Sequence, residues 1–525
     1  MRAQANGHVS GFFPTPFFSQ RAAFKKNLLA DMLDFIPPFL LMTRTISVIK
    51  IHPAMGIARV GNSPDEFFIG PESPENRKPP VGGYKDSQGR IKRQAARFRL
   101  FGYDNKGKLI GEVTAADADI RWTVHLANKK AAWAQFRGLA RTTPRRNKKV
   151  SDRNSLIIDP GPRSLAAPNQ VAAFDTGRFM GASVPLGEMR TDKTGRLLVL
   201  GGFGHSASPT NAPIKTLINN DGWHDDVSDG PVTATVNLKS GGRPIEGAGA
   251  WVIVGPPDFA PAIDNVITLY DVLLQVAVEK LGLKLPAKPS FTHDIYPILR
   301  RVMDLKWVGS FPGKAHDFFS KVIPPPGPAD IRLSILKHIK NPHTRRGNGM
   351  PLIWSDHYTP RKKQTQPLTK TQFDILKKWA HGKFINDWKT KSPRARITPA
   401  GLDRVALESC VGGPFHPGIE AGWLLRDVFD YDEPFRLSHR NREAGDVTKQ
   451  MAVPWQTDFY DCKYEEPLAW WPAQRPDDVF VKRGGRQVAW TRNILRNRTG
   501  MIKKWHRLGF VVKKGTELLE TERAR

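Results

Sequence analysis

Only two cysteines occur in this 525-residue chain, and one of them ends a helix-like run. Leu402 to Ser409 lead into Cys410, and Val411-Gly412-Gly413-Pro414 turns the chain at once. About sixty positions later, Trp470-Trp471-Pro472-Ala473-Gln474-Arg475-Pro476 forms a second Pro-bounded turn. A cysteine in a tight turn and a tryptophan in another are the raw material of a protein-derived quinone. The residues alone leave a plainer reading open. A cysteine beside Gly-Gly-Pro often serves as a small buried hydrophobe, and a Trp pair often belongs to a core. A Cys410–Cys462 disulfide is also compatible with the count.

Other chemistries lack their patterns. None of the 14 histidines falls in HExxH or in a spaced ligand cluster, and no CxxC occurs, so no metal is expected. His205 and the run Trp223-His224-Asp225-Asp226 offer ligand types, but read as a polar surface loop. Gly201-Gly202-Phe203-Gly204 follows a strand-like run without opening a dinucleotide-type helix. No P-loop or GxSxG elbow appears.

The elements that must position these residues change type along the chain. From Arg44 to about Gly255 the period is mostly two. Ala96, Phe98 and Leu100 alternate with Arg97 and Arg99, and Ile120, Trp122, Val124 and Leu126 alternate with Arg121, Thr123 and His125. One face of such strands packs on a core and the other meets water. Leu197–Leu200, Val232–Val236 and Trp251–Val254 are further strands, separated by turn sequences such as Asp104-Asn105-Lys106-Gly107. Helical spacing begins later, with helices expected over Val266–Leu281 and Phe291–Val302. Thr292 is the expected N-cap of the second, with Pro297 disturbing its middle. Thr371 and Asp374 resemble a capping box before Ile375, Leu376 and Trp379, and Gly382 stops that helix. The fold class is therefore α+β: a large antiparallel, sandwich-like β region, then a helical region, then a loop-rich C-terminal region. The expected division is an irregular extension over 1–41, a β-rich domain over 42–260, a mainly helical region over 261–398, a loop-rich region around Cys410 over 399–500, and a basic tail over 501–525.

Composition bounds the rest. Hydrophobic residues make up 40% and there are 14 Trp, which suits a folded protein with a large core. The formal charge is +30, and residues 481–525 hold 13 Lys/Arg against three Asp/Glu. Such charge favours anionic partners, yet no nucleic-acid recognition motif accompanies it, so the excess reads as solvated faces. No stretch reaches the ~20 apolar residues of a membrane helix, and no secretory signal is evident. This points to the cytoplasm, or to export without a recognisable signal peptide.

Five segments together resemble the LodA-like family of lysine ε-oxidase and glycine oxidase quinoproteins. They are Ile51–Ser63, Ile91–Arg99 running on to Phe101–Asp104, Trp122–Trp133, the Cys410 loop with its Val-Gly-Gly-Pro-Phe and Pro-Gly-Ile-Glu, and Met451–Phe459 followed by the Trp-Trp-Pro-Ala-Gln-Arg-Pro segment. The resemblance spans Thr45 to about Asp478. It implies a cysteine tryptophylquinone, in which the Cys410 sulfur is joined to Trp471 or Trp470. It implies oxidative deamination of an amino acid or amine by O2, giving a carbonyl product, ammonia and peroxide. A LodB-like flavin-dependent monooxygenase would mature the cofactor, and a homo-oligomer is expected. Within that picture His416 is the candidate base, with His343 a weaker one. Arg475 is the candidate clamp for a substrate carboxylate. Glu408 and Asp403 are the acids nearest Cys410 for maturation, because Ala406 stands where an acid is expected, four residues before it. Two rival readings remain: a relative that never matures its cofactor and serves as a binding or structural protein, and a basic protein held to anionic surfaces or nucleic acid.

Overall fold

The computed structural model describes residues 45–74, 77–133, 145–310, 321–322, 325, 327–344, 349–351, 365–388, 396–412, 420–462 and 472–524. Alternating side chains build the N-terminal half from strands β1 (Val48–His52), β2 (Met55–Arg59), β3 (Phe67–Ile69), β4 (Arg93–Tyr103), β5 (Leu109–Val113), β6 (Ala118–Val124), β7 (Arg163–Leu165), β8 (Val171–Ala173), β9 (Glu188–Thr191), β10 (Leu197–Leu200), β11 (Ser228–Leu238), β12 (Ile245–Glu246) and β13 (Ala250–Gly255). Among the described residues they form one connected 13-stranded sheet, its main path running β7-β6-β11-β13-β2-β4-β10-β9-β8. Pairing is antiparallel except between β13 and β2 and between β3 and β4. The 11-residue β4 is long enough to branch the sheet. Its first half pairs with β2, β3 and β10, and its second half with β1 and β5.

The branching explains one departure from the sequence reading. Ile120, Trp122, Val124 and Leu126 are buried as the alternation requires. Arg97 and Arg99 do not simply face water. Arg99 is only 4% exposed, and both arginines bind Glu72, with Arg99 also reaching Glu112 at 2.9 Å. Burial would raise the Glu72 carboxyl, but the two guanidinium groups outweigh it and hold the acid below its ordinary range. The second strand face is covered by acids rather than solvent, which a period-two pattern alone does not reveal.

The helices follow their caps. Helix α1 (Leu269–Lys280) opens on a capping box made by Thr268 and Asp271. Helix α2 (Tyr296–Asp304) is entered through a wide turn, Phe291–Ile295, capped by Ser290 rather than Thr292. Pro297 lies in the first turn of α2, where its missing N–H costs no hydrogen bond. Helix α3 is Ala329–His338. Helix α4 (Lys370–Ala380) is capped by Thr369 and Gln372, two residues before the expected pair, and it buries Ile375, Leu376 and Trp379. Thr371 instead donates to Gln275 on α1. Gly382 ends the helix with φ of 74°. Helix α5 is Pro399–Glu408, α6 is Trp455–Asp461 and α7 is Arg498–Lys504.

Residues 501–524 are not a tail. After α7, a hairpin pairs Phe510–Lys514 with Glu517–Thr521 and buries Phe510, Val511, Leu518 and Leu519. The expected boundaries also do not separate cores. Ile57, Trp251, Leu273, Trp379, Leu407, Trp490 and Phe510 belong to one apolar cluster. The run around His224 is likewise not a surface loop, since His224, Asp225 and Asp226 are 3%, 0% and 2% exposed. Asp225 forms a fully buried ion pair with Lys130 at 2.6 Å. No group of three or more His, Cys, Asp or Glu among the described residues is arranged to hold a metal. No described helix is long and apolar enough to cross a membrane.

Candidate active site

Cys410 sits where α5 ends and the chain becomes extended. Thr398 caps the start of α5, accepting from Gly401 N–H, and Pro399 fills the first turn. At the far end Ser409 Oγ donates to Ala406 O at 2.7 Å. The chain then pairs with the entry to α1. Leu269 N–H donates to Cys410 O, Gly412 N–H donates to Ile267 O, and Val411 faces Thr268. The approach is close enough to require glycine, because a Cβ on Gly412 would lie 2.2 Å from Thr268 O. The Cys410 thiol is thus locked against the helical layer and is 1% exposed.

One cation from the β layer reaches it. Arg59, the last residue of β2, is 2% exposed. Its Nη2 donates to Ser409 O at 2.7 Å and lies 3.9 Å from Cys410 Sγ. Its Nη1 donates to Pro256 O at 2.9 Å, on the turn that follows β13. The chain just beyond Trp471 returns to the same turn. Gln474 Nε2 donates to Pro257 O at 3.3 Å and to Pro256 O at 3.4 Å, and Phe259 N–H donates to Gln474 O at 3.0 Å. The turn Pro256–Ala260 therefore bridges the cysteine to the chain that carries the tryptophans. Neither Arg59 nor this turn stands out as functional in the sequence, where Arg59 is only one letter of the Ile51–Ser63 segment.

Burial governs the electrostatics. It pushes the Cys410 thiol up to about 11, against the pull of Arg59. It also raises the partly buried Asp258 to about 6, again with Arg59 opposing. Glu408 goes the other way. Burial alone would raise it, but Arg404, Arg301 and Arg77 donate to it at 2.8, 2.9 and 2.9 Å and bring it down to about 2. Asp403 accepts from Ala54 N–H at 2.6 Å and contacts His52 Nδ1 at 3.0 Å, while His52 Nε2 meets Tyr103 OH at 3.3 Å. These two acids tie α5 to its neighbours. Among charged side chains, Arg59 pulls the Cys410 thiol down while Asp258 and Asp264 push it up.

The remaining candidates separate. Trp470, Trp471 and His416 lie outside the described residues. Both cysteines are free and buried, so no Cys410–Cys462 disulfide exists. Cys462 Sγ donates to Asp458 at 3.0 Å. Arg475 is 2% exposed and is used inside the fold: Nε donates to Phe459 O at 2.6 Å, and Nη1 to Asp477 at 2.7 Å. That corrects its expected role as a substrate clamp, since a guanidinium committed to Phe459 O and Asp477 is not presented to a ligand. His343 lies on an exposed turn with Asp374 of α4 at 2.9 Å, which removes the geometric case for it as the base.

Both the sequence and the fold are similar to those of known proteins. Residues 52–254 match the family model described as L-lysine ε-oxidase N-terminal, and residues 352–483 match the L-lysine ε-oxidase C-terminal domain. The chain belongs to the L-lysine ε-oxidase family. L-lysine 6-oxidase of Marinomonas mediterranea is 30% identical to it, over 79% of this chain and 71% of the relative. Two solved structures of the Marinomonas mediterranea L-lysine ε-oxidase superpose with TM-scores of 0.74 and 0.72, at 25% identity, each over 91% of this chain and 95% of the other. A third, described as the Schiff base intermediate of that enzyme with L-Lys, gives 0.73 at 24% identity. The two family segments meet at Cys410. Arg59 comes from the N-terminal match, and Cys410 and Gln474 come from the C-terminal one.

Proposed function

We propose that this family member is an amino-acid oxidase whose electron sink is a cysteine tryptophylquinone formed from Cys410 and Trp471 or Trp470. The observation that carries the reading is the convergence on the Pro256–Ala260 turn. Arg59 ties it to a free, buried thiol, and Gln474 ties it to the chain just after the Trp pair. The described residues fit a sulfur anchor there, with one guanidinium in reach and water excluded. Such a quinone supplies a ring carbonyl that takes up a primary amine and accepts two electrons from its carbon.

The balanced reaction is R–CH2–NH2 + O2 + H2O giving R–CHO + NH3 + H2O2. Arg59 and the α5–α1 contact hold the sulfur in place. His416 remains the proposed base for the carbon-bound proton, six residues after Cys410 in the sequence. The substrate is an amino acid or another primary amine, and lysine heads the panel because the related enzyme is a lysine oxidase. Maturation by a LodB-like flavin-dependent monooxygenase, a homo-oligomeric state and a cytoplasmic location, or export without a recognisable signal peptide, complete the proposal.

The test is co-expression with such a flavoprotein. Mature protein should yield one tryptic species joining the Cys410 and Trp470/Trp471 peptides, with two oxygens gained and four hydrogens lost. It should release peroxide and ammonia from at least one amino acid, and Cys410→Ala should release none. Separate, unmodified peptides would overturn the quinone assignment. Cross-linked protein without turnover on any amine would instead favour a binding role.

A further inference from the structure

The register of β1 on β4 sets Val48 opposite Tyr103, Lys50 opposite Phe101 and His52 opposite Arg99. These are alternate residues of each strand, so their side chains share one face of the ladder. Asp403 of α5 meets that face. Both of its carboxylate oxygens lie 3.0 Å from His52 Nδ1, and one also accepts from Ala54 N–H at 2.6 Å. A carboxylate only accepts, so Nδ1 carries the ring proton and Nε2 keeps its lone pair. The Tyr103 hydroxyl stands 3.3 Å from Nε2 and donates to it. His52 and Asp403 are buried, whereas Tyr103 is partly exposed. Acid, imidazole and phenol thus form one line. Tyr431 and Tyr460 instead donate to the backbone carbonyls of Leu425 and Arg496, at 2.6 and 2.7 Å, and a carbonyl does not take the proton up.

We propose that Tyr103 is a redox-active residue, which gives one electron to an oxidant of the oxygen-radical class while its hydroxyl proton crosses to His52. The O–H bond breaks, the electron goes to the oxidant, and the proton goes to Nε2. The products are a neutral tyrosyl radical and an imidazolium. The new positive charge lies on a buried ring already bonded to the Asp403 carboxylate, so it is paired where it appears. Burial and the Asp403 charge push the hydroxyl up to about 12, so the phenol stays protonated at neutral pH and electron and proton leave together. The other charges around the phenol are Arg436, Glu433 and Lys50, whose ammonium lies 5.7 Å from the ring centroid. Glu433 binds both of those cations. Ascorbate or a small thiol then returns the electron, and His52 returns the proton. In an enzyme that handles O2, such a residue quenches a stray radical on a phenol that can be restored. Nothing in this relay depends on the quinone assignment.

The test uses the full chain made without the flavoprotein, so that no quinone radical contributes. Carbonate radical, generated by a light flash, is the oxidant, because it is oxygen-centred and takes one electron. A nitroso spin trap marks the tyrosyl radicals, and peptide mass spectrometry locates them. The Tyr103 peptide should carry several times more adduct than the Tyr460 peptide, although both side chains are partly exposed. His52→Gln puts an amide, which takes up no proton, beside the phenol. It should cut the Tyr103 adduct at least about tenfold at neutral pH and leave the Tyr460 adduct unchanged. Asp403→Asn keeps an oxygen for Ala54 N–H but removes the charge that pairs with the imidazolium, so it too should lower the Tyr103 adduct alone. Equal labelling of Tyr103 and Tyr460 in the parent overturns the proposal. So does a folded His52→Gln protein that keeps full labelling of Tyr103. If neither variant melts as a folded protein, the ratio in the parent decides alone. A chain that never acquires the quinone defeats the oxidase mechanism but leaves this ratio standing.

Discussion

At the scale of single residues, acids that look alike in sequence do different work here. Glu408 and Asp403 are the acids nearest Cys410 along the chain, and proximity on one helix suggests a shared role. The helix turns them elsewhere. Glu408 is gripped by three arginines from separate parts of the chain, and no sequence pattern announces a cluster whose members lie more than 300 residues apart, as Arg77 and Glu408 do. Removing one member of a buried ionic group leaves the others uncompensated, so Glu408→Gln should cost about 3–5 kcal/mol near neutral pH. The sign of its pH dependence comes from the depressed carboxyl. Its folded value is about 2 against an ordinary 4.5, so its stabilisation is full above pH ~4.5 and is lost as pH falls toward ~2. Denaturant titrations should show the gap between parent and Glu408→Gln closing over that window. A constant gap would mean the loss is one of packing, not charge.

At the scale of elements, patterns with a local cause were readable and patterns with a distant one were not. The end of α5 before Cys410, the burial of Ile375, Leu376 and Trp379, and the strand Leu197–Leu200 all follow from local spacing. The capping residues slipped by two positions both in α4 and in the wide turn that leads into α2, because serine and threonine are common near helix starts and only the backbone decides which one is half in the helix. Gly412 shows the limit more sharply. In the sequence it is one glycine of a turn. In the fold it lets the Cys410 strand lie against the entry to α1, with Thr268 O where a side chain would be. Gly412→Ala must push backbone away from backbone, so it should cost on the order of 1–3 kcal/mol, seen as a lower denaturation midpoint. Because the shift falls two residues from Cys410, the cross-linked fraction should drop as well. Full cross-linking at an unchanged midpoint would show that the two segments separate freely.

At the scale of the whole molecule, charge and packing compete to explain the C-terminus. Its many lysines and arginines invite the reading of a basic arm for an anionic partner, and nothing in a charge count distinguishes an arm from a hairpin with basic edges. Packing makes the distinction. Val511 N–H donates to Phe259 O at 2.8 Å, and Phe510 lies over Phe259 with ring centroids 5.0 Å apart. Phe259 belongs to the very turn that Gln474 clamps. Burying a large apolar side chain contributes about 1.5–3 kcal/mol, so Phe510, Val511 and Leu518 together contribute roughly 5–9 kcal/mol. That is comparable to the whole net stability of a typical folded protein, about 5–15 kcal/mol. Deleting residues 510–525 should therefore cost more than affinity for anions. The truncated chain should lose its cooperative melt by circular dichroism, and Cys410 should alkylate rapidly at neutral pH because the support of the Pro256–Ala260 turn is gone. A basic arm predicts the reverse: an unchanged melt, an unchanged Cys410, and only weaker, salt-sensitive retention on anionic vesicles or DNA. A truncated chain that melts like the parent would return the C-terminus to the status of an appendage, and with it revive the reading in which the charge, not the cysteine, is the functional feature.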